Sequence, residues 1–534
     1  MKYTAITIGP IYKTLQLARS TKAVWSASYL FSYLMKQIYK EVITEIKKEA
    51  ILLPFISDDM LQERIHKKVG LFPDRIIFEG TLKDFEALRE RVVSNLANII
   101  TQDIQKEARK EIRKDTIKKH LKHYLTIKAV SKEIEAGTGN AVEIMNEYLT
   151  IQELQQQTSP STFTNCLSDF FELRDNGYNT FIQNEFERQP FKSISEIATS
   201  LLNHTIREDN QDTFYLKLEQ ECKDYKPIHK YIAVVQADGD NIGSLITKLG
   251  EKSKDFKRDI RSFSEKLYHF SLQALEIINK WKGTPIYVGG DDLLFFAPVA
   301  EVKNQKTEKT ILNICNEISG KFDTLITQKY TKLKLKKDPT ISFGINISYY
   351  KFPLDQSLKL AYKQLSKAKE GNKNAIALNI TKHSGQSFEA VFQQDKKSFT
   401  QLTDFLKQSE KPFFANFMYK LETLKTIFNE IGSIEEEEKE KEKESKSKSK
   451  SKSKNKRNDR FKAFYNNFFN EDIHKESKKK DGFLDNILEL TKLLYTENNL
   501  ANATIEEREQ LNEKNIATLY GGLRYYHFIH AKKE

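Results

Sequence analysis

The chain has 534 residues, of which 39% are hydrophobic and 11% aromatic, enough to fold but too long for a single core, so several domains are expected. Its 86 basic and 74 acidic side chains give a formal charge of +12, a balance compatible with nucleic acid without demonstrating it. No apolar run approaches the roughly 18–20 residues that span a bilayer, and Met1 to Pro10 lacks the apolar core of a signal peptide, so no membrane partner is expected and the chain reads as cytoplasmic. The three cysteines, Cys166, Cys222 and Cys315, are far apart without a Cys-x-x-Cys pair, which excludes an all-cysteine zinc site and reads as buried free thiols.

In chain order, Thr4 to Ile8 predicts a strand. An amphipathic helix follows through Leu15, Ala18, Val24, Leu30 and Tyr33, and further strands are expected at Ala50 to Phe55 and Arg75 to Glu79. From Leu82 to Leu202 the pattern is largely helical, with Leu88, Val92, Leu96 and Ile99 at helical spacing, and His120 and His123 read as surface residues. Between Tyr231 and Ile380 the pattern becomes α/β. A strand ends at Asp238, and a long helix carries Phe256, Ile260, Phe263, Leu267, Phe270 and Ile277. A hairpin turns at Gly289-Gly290, and a helix runs from Ile311 to Ile326. The strand Thr340 to Ser348, the helix Leu354 to Lys369 and the strand Ala375 to Ile380 complete the unit. This β-α-β-β-α-β order is that of a ferredoxin-like sheet, in which the first strand lies beside the hairpin. From Phe388 onward the chain reads as helical. An acidic block followed by alternating Lys and Ser interrupts it and reads as a disordered insertion, 435–458.

The chemistry concentrates in two places. The strand Tyr231-Ile-Ala-Val-Val-Gln-Ala ends in Asp238-Gly239-Asp240, and the hairpin Pro285-Ile-Tyr-Val-Gly289-Gly290-Asp291-Asp292 carries two adjacent carboxylates that repel unless a cation or solvent compensates. Carboxylates ending two neighbouring strands form a hard-oxygen site suited to Mg²⁺ or Mn²⁺ with substrate phosphates, the arrangement of two-metal nucleotidyl transfer. Asp238, Asp291 and Asp292 are therefore the candidate catalytic and metal-ligating residues. Gly239, Gly289 and Gly290 would admit a phosphate or base close to the backbone. Asp240 either joins them or caps the helix beginning near Asn241. Lys369, in Ala368-Lys369-Glu370-Gly371-Asn372-Lys373-Asn374, would neutralise charge on a leaving pyrophosphate or else complement its helix C-terminus. Ser384-Gly385 is a turn compatible with a nucleotide contact.

The motifs Asp238-Gly-Asp-Asn-Ile-Gly243, Gly289-Gly-Asp-Asp292, Ser342-Phe-Gly-Ile345 and Ala368 to Asn374 resemble the large polymerase-like subunit of type III CRISPR effector complexes, the Cmr-type (III-B) form fitting best. Gly9-Pro10 with Ala18 to Leu30, and Gly70-Leu-Phe-Pro-Asp-Arg75, look like that family's first, degenerate palm domain, which carries no Gly-Gly-Asp-Asp of its own. The resemblance implies an α+β chain with two ferredoxin-like palm domains and two helical domains: a degenerate palm at 1–110, a helical domain at 111–222, the catalytic palm at 223–385 and a C-terminal helical domain at 386–534. It implies placement beside sibling subunits, guide RNA and target RNA, with target binding switching on two-metal joining of ATP into cyclic oligoadenylate, a second messenger in antiviral defence. A silent scaffold, or ATP joined to a non-nucleotide acceptor, are the alternatives. Many members begin with a nuclease domain needing an adjacent His-Asp pair. None of the ten histidines here precedes Asp, so that activity is expected to be absent, as is the family's cysteine zinc cluster. A stand-alone diguanylate cyclase is disfavoured because Leu293-Leu294 follows Asp291-Asp292.

Overall fold

The computed structural model describes residues 1–61, 69–108, 113–135, 140–154, 166–171, 173, 191–208, 210–408, 421, 423–428, 430–431, 450–468, 482–497 and 504–531. Two β-sheets organise the chain. The first comprises β1 (Lys2–Gly9), β2 (Ile51–Leu53), β3 (Arg75–Glu79) and β4 (Thr126–Glu133), in the order β2-β3-β1-β4 and antiparallel throughout. Helix α1 (Thr21–Glu45) joins β1 to β2, while α2 (Phe85–Ala108) and α3 (Lys114–Tyr124) join β3 to β4. Ser20 starts α1 by accepting from the Ala23 N–H, and Trp25, Leu30, Leu34 and Ile38 form its buried face.

Strand β4 falls where the sequence reads as helical. In Thr126-Ile-Lys-Ala-Val-Ser-Lys-Glu only Ile127 is buried, because β4 is an edge strand whose lysines hide the two-residue alternation. The first sheet therefore extends beyond residue 110 into the stretch expected to be helical. His120, expected at the surface, is buried with its ring stacked on Tyr124 at 5.7 Å, whereas His123 is exposed. Cys166 and Cys315 are buried thiols and Cys222 is half-buried.

The second sheet has the order β12-β11-β10-β5-β7-β6. Its centre is β5 (Tyr231–Asp240), flanked antiparallel by β7 (Asp292–Pro298) and β10 (Thr340–Tyr349), with β6 (Thr284–Gly289) on the β7 edge. Helices α4 (Ile242–Lys252) and α5 (Phe256–Lys280) link β5 to β6. Between β7 and β10 come a small hairpin, β8 (Ala300–Lys303) and β9 (Lys306–Thr310), and then α6 (Ile311–Phe322), which passes into a π turn at Asp323–Thr327. Helix α7 (Leu354–Ala368) crosses from β10 to β11 (Ala375–Thr381), parallel to β10. Strands β5, β6, β7 and β10 thus repeat the strand order of the first sheet. The expected neighbour relation holds, since Ala237 pairs with Leu293.

The second correction concerns residues 387–393. Ser387–Gln393 is a strand, β12, rather than helix, with Phe388, Ala390 and Phe392 turned inward at the period of two that a strand requires. Four C-terminal helices longer than eight residues follow among the described residues: α8 (Lys397–Phe405), α9 (Lys450–Phe468), α10 (Phe483–Glu497) and α11 (Ile505–His530). The expected disordered insertion, 435–458, lies outside the described residues as far as 449. From Lys450 it is helix, and Arg457 is buried with its guanidinium donating to Thr496 Oγ1 at 3.3 Å. Aromatic packing holds this layer, with Phe405 stacked on Tyr526 at 4.3 Å and Phe528 meeting Tyr231 at 4.8 Å.

The two sheets meet at β6. Gly70 forms a parallel bridge to Tyr287, Val288 N–H donates to Gly70 O at 3.3 Å, and Ser28 Oγ donates to Ile286 O at 3.1 Å. This junction covers an edge strand that would otherwise present unpaired backbone groups. No helix among the described residues is long and apolar enough to cross a membrane.

Gly344, in β10, sets how closely α7 approaches the sheet, because a Cβ there would overlap the backbone of Ala361 and Leu365. Gly344→Val is expected to destabilise the protein by about 1–3 kcal/mol through overpacking. The check is the denaturant midpoint, which should fall; an unchanged midpoint would contradict this packing.

Candidate active site

The site is built where β5, β7 and β10 end together. Asp238 pairs in register with Ser342 of β10, and Asp240 with Thr340. On the other side, β6 and β7 close a two-residue turn, since Gly289 pairs with Asp292. Gly290 occupies the first turn position at φ +65°, and nothing lies within 4 Å of where a side chain would project. Gly there satisfies the turn and leaves its outer surface open. Asp291 sits at the tip against β5, so close that a Cβ on Gly239 would meet Asp291 Cβ at 2.8 Å. The ring of Tyr287 lies over Gly289, where any side chain would collide with it.

The carboxylates crowd one another. Enclosure by the surrounding protein, followed by the charge on Asp238, raises the Asp291 carboxyl to about 6. Enclosure, then the charges of Asp291 and Asp238, raise Asp292 well above the ordinary carboxylate range, and it shares a hydrogen bond with Asp238. Asp291 is half-buried and Asp292 retains a solvent-exposed face, so the neighbouring charges are the cause to weight most for Asp292. One cation answers them: Lys369 Nζ is ion-paired with Asp238 Oδ2 and also donates to Gly239 O at 3.0 Å.

Asp240 plays a different part from Asp238. It is fully buried, and its Oδ2 accepts from Thr340 Oγ1 at 2.8 Å, Ser342 Oγ at 2.7 Å and the Asn374 N–H at 3.0 Å. It does not cap α4, whose N-cap residue is Asn241 without a side-chain cap, and its Oδ1 is buried without a hydrogen-bond partner. What Asp240 does is tie the Lys369–Asn374 loop to β5 and β10. That loop turns sharply, with Gly371, Lys373 and Asn374 at positive φ, and Lys373 Nζ donates to Asn241 Oδ1 at 3.2 Å. Lys369, the C-cap of α7, is thereby held over Asp238.

Ser384 does not join the site. It lies in the β11–β12 turn, whose His383 N–H donates to Tyr231 OH, at the start of β5. Asp238 lies seven residue steps along β5 from that end, roughly 23 Å at about 3.3 Å per strand residue. A turn motif carries no information about which sheet end it occupies, and the parallel β10–β11 pairing puts it at the far one. Sequence reading also missed Asp74, just before β3, whose charge raises both Asp292 and Tyr287 across the boundary between the two sheets. Its segment, Gly70 to Arg75, stood out in the sequence, but only the fold brings it beside the hairpin.

The donor set is hard oxygen with excess negative charge, which fits Mg²⁺ or Mn²⁺. Among the described residues no three acidic, His or Cys side chains converge with metal-ligand geometry. That agrees with how Mg²⁺ is usually held, by one or two carboxylates completed by substrate phosphates and water. Asp238 and Asp292, already within hydrogen-bond reach, are the pair best placed for this, with Asp291 beside them.

The raised carboxyls have a sign-definite consequence. Their folded-state values lie above the unfolded ones, so the folded state binds more protons and stability falls as pH rises through roughly 4 to 6 and beyond. The double variant Asp291→Asn, Asp292→Asn is expected to melt higher than the parent at neutral pH, by about 2–4 °C, with the gap closing towards pH 4. Mg²⁺ should raise the melting temperature of the parent and not that of the variant. A variant that melts lower at neutral pH would contradict the crowding.

Two family models match: Cas10/Cmr2, second palm domain, over residues 231–377, and CRISPR-associated protein Cmr2, N-terminal, over residues 3–131. A curated relative, the CRISPR system Cmr subunit Cmr2 of Pyrococcus furiosus, is 29% identical over 181 residues, which are 30% of this chain and 19% of that protein, so the match spans about a fifth of the relative's length. Among solved structures, a type III-B Cmr-beta complex in the apo state aligns with TM-score 0.49 and 12% identity over 79% of this chain and 75% of that one. A Csm1–Csm4 cassette in complex with cA4 aligns with TM-score 0.47 and 10% identity, over 80% and 62% respectively. With its N-terminal and second-palm regions both matched, the chain belongs to the Cas10/Cmr2 family.

Proposed function

We propose that this chain is an RNA-activated nucleotidyltransferase that uses ATP. The observation that carries the reading is the meeting of Asp238 with the Asp291–Asp292 turn at one sheet end, under a lysine held in place by a buried anchor. The reaction is attack by a ribose 3′-hydroxyl of one ATP on the α-phosphorus of another. A phosphodiester bond forms, the bond to the bridging oxygen breaks, and pyrophosphate leaves. Asp238, Asp291 and Asp292 would hold divalent cations, which when bound would supply Lewis-acid activation of the hydroxyl and of the departing group. The open surface over Gly290 lets phosphates approach the turn, and Gly239 does the same for β5. Lys369 neutralises charge that develops on the pyrophosphate. Successive additions and closure give cyclic oligoadenylate; a non-nucleotide acceptor would use the same residues.

The first sheet, with the same strand order and no Gly-Gly-Asp-Asp in its sequence, is in this reading a second palm-like unit that closes the site from the β6 side and contributes the Asp74 charge. In the cell the chain works within a Cmr-type assembly beside sibling subunits and guide RNA, and pairing with target RNA starts synthesis.

The test is to assemble the complex with target RNA, ATP and Mg²⁺ or Mn²⁺ and identify products by mass spectrometry. The parent should yield an ATP-derived phosphodiester. Asp291→Ala with Asp292→Ala should lower its rate at least ~100-fold, as expected when the groups stabilising a transition state are removed, with RNA binding unchanged. Full synthesis by the double variant would overturn the mechanism. No product from the parent, with ATP still bound, would mark the subunit as a silent scaffold.

A further inference from the structure

A second charged feature lies outside the carboxylate site. Residues 321–338, between α6 and β10, hold six lysines (321, 329, 332, 334, 336 and 337) against two aspartates, Asp323 and Asp338. All six lysines are exposed, and among the described residues none makes an ion pair. Elsewhere, exposed lysines do pair, as Lys351 does with Asp212 and Lys303 with Glu301. Six unneutralised ammonium groups in one short segment repel one another, a cost that a polyanion would remove.

The segment is not a loose tail. Leu333 and Leu335 pack against the core, so Lys332, Lys334 and Lys336, alternating with them, are turned to solvent. Its backbone is pinned at three points: Thr327 Oγ1 donates to Pro339 O at 2.6 Å, Lys252 Nζ to Leu333 O at 2.7 Å, and Asn241 Nδ2 to Asp338 O at 3.0 Å. The lysines are therefore presented at a fixed place, which lowers the entropy lost on binding. The segment also leads directly into Thr340, a donor to Asp240, so the strip ends at the catalytic end of the sheet.

We propose that the 329–337 strip is a docking surface for a nucleic-acid phosphate backbone passing the catalytic end of the sheet. Its chemistry reads phosphate rather than base. Phe322 is buried, and Tyr330 is half-buried, with Phe263 perpendicular to its ring at 5.7 Å and Lys266 Nζ over the ring at 5.7 Å, so the segment exposes no aromatic side chain for base stacking. Binding is therefore independent of sequence and sensitive to salt, because each phosphate that a lysine neutralises releases a counterion. The inference rests on charge and geometry alone and stands whether or not the carboxylate site turns over ATP.

The test uses the full chain and the fourfold variant Lys332→Gln, Lys334→Gln, Lys336→Gln, Lys337→Gln. None of these side chains packs in the core, so the fold is retained. A charge-matched control carries Lys2→Gln, Lys280→Gln, Lys306→Gln and Lys309→Gln, all exposed. Labelled oligouridylate RNA, oligothymidylate DNA of equal length and polyglutamate are each titrated over a series of salt concentrations. The strip variant should bind nucleic acid more weakly, with a log–log salt slope flatter by about 1–3, at roughly 0.7 for each phosphate of a single strand that is no longer neutralised, while the control matches the parent. Weakening with RNA only, or with RNA and DNA alike, identifies which backbone the strip accepts. Equal weakening in both variants would reduce the effect to net charge, no weakening in either would remove the surface, and polyglutamate binding as tightly with the same dependence would assign it to an acidic protein. Each of those three outcomes overturns the proposal.

Discussion

Three carboxylates forced to one end of a sheet are the constraint on which the rest of the second sheet depends. Asp238 lies near the end of the central strand, and Asp291 in the turn and Asp292 at the start of β7 lie beside it, so their charges cannot be separated without unpairing β5 from β7. The fold responds in two ways. The Asp291 and Asp292 carboxyls hold protons more tightly than isolated acids do, and Lys369 is brought from the end of α7 onto Asp238. Such crowding lowers stability near neutral pH, the usual sign that a polar cluster serves function rather than folding.

Holding one lysine in place draws on much of the architecture. Gly344 lets α7 lie close to β10, the loop Lys369–Asn374 turns back through three positive-φ residues, and the Asn374 N–H ends on Asp240. Asp240 is thus a structural anchor two residues from a chemical one. Although both belong to Asp238-Gly239-Asp240, the two carboxylates face different surroundings. One meets the acidic cluster and Lys369. The other meets two hydroxyls and an amide.

That division was only partly legible in the sequence. The acidic strand end and the Gly-Gly turn were visible because strand runs bounded by turn glycines have a strong local signature, and the β-α-β-β-α-β order placed them side by side. The role of Asp240 was not visible, since its donors come from Thr340, Ser342 and Asn374, a hundred residues or more away in the chain. Ser384 looked plausible in a turn and lay at the wrong end because β11 runs parallel to β10. Strand β4 was hidden by exposed lysines at a sheet edge. Strand β12 had a readable alternation that was obscured by the helical pattern following it, and the helical character of Arg457 and its neighbours was masked by the charge run before them. In each case the local pattern was sound only where burial was one-sided and regular.

Mn²⁺ binding, followed by electron paramagnetic resonance on the full chain with and without a non-hydrolysable ATP analogue, tests the carboxylate site most directly. Because the carboxylates supply only part of a coordination shell, tight Mn²⁺ binding should require the nucleotide and be lost in both Asp238→Asn and Asp292→Asn. Mn²⁺ bound equally well by both variants in the presence of the analogue would show that these strand ends do not hold the ions, and the central claim would fail.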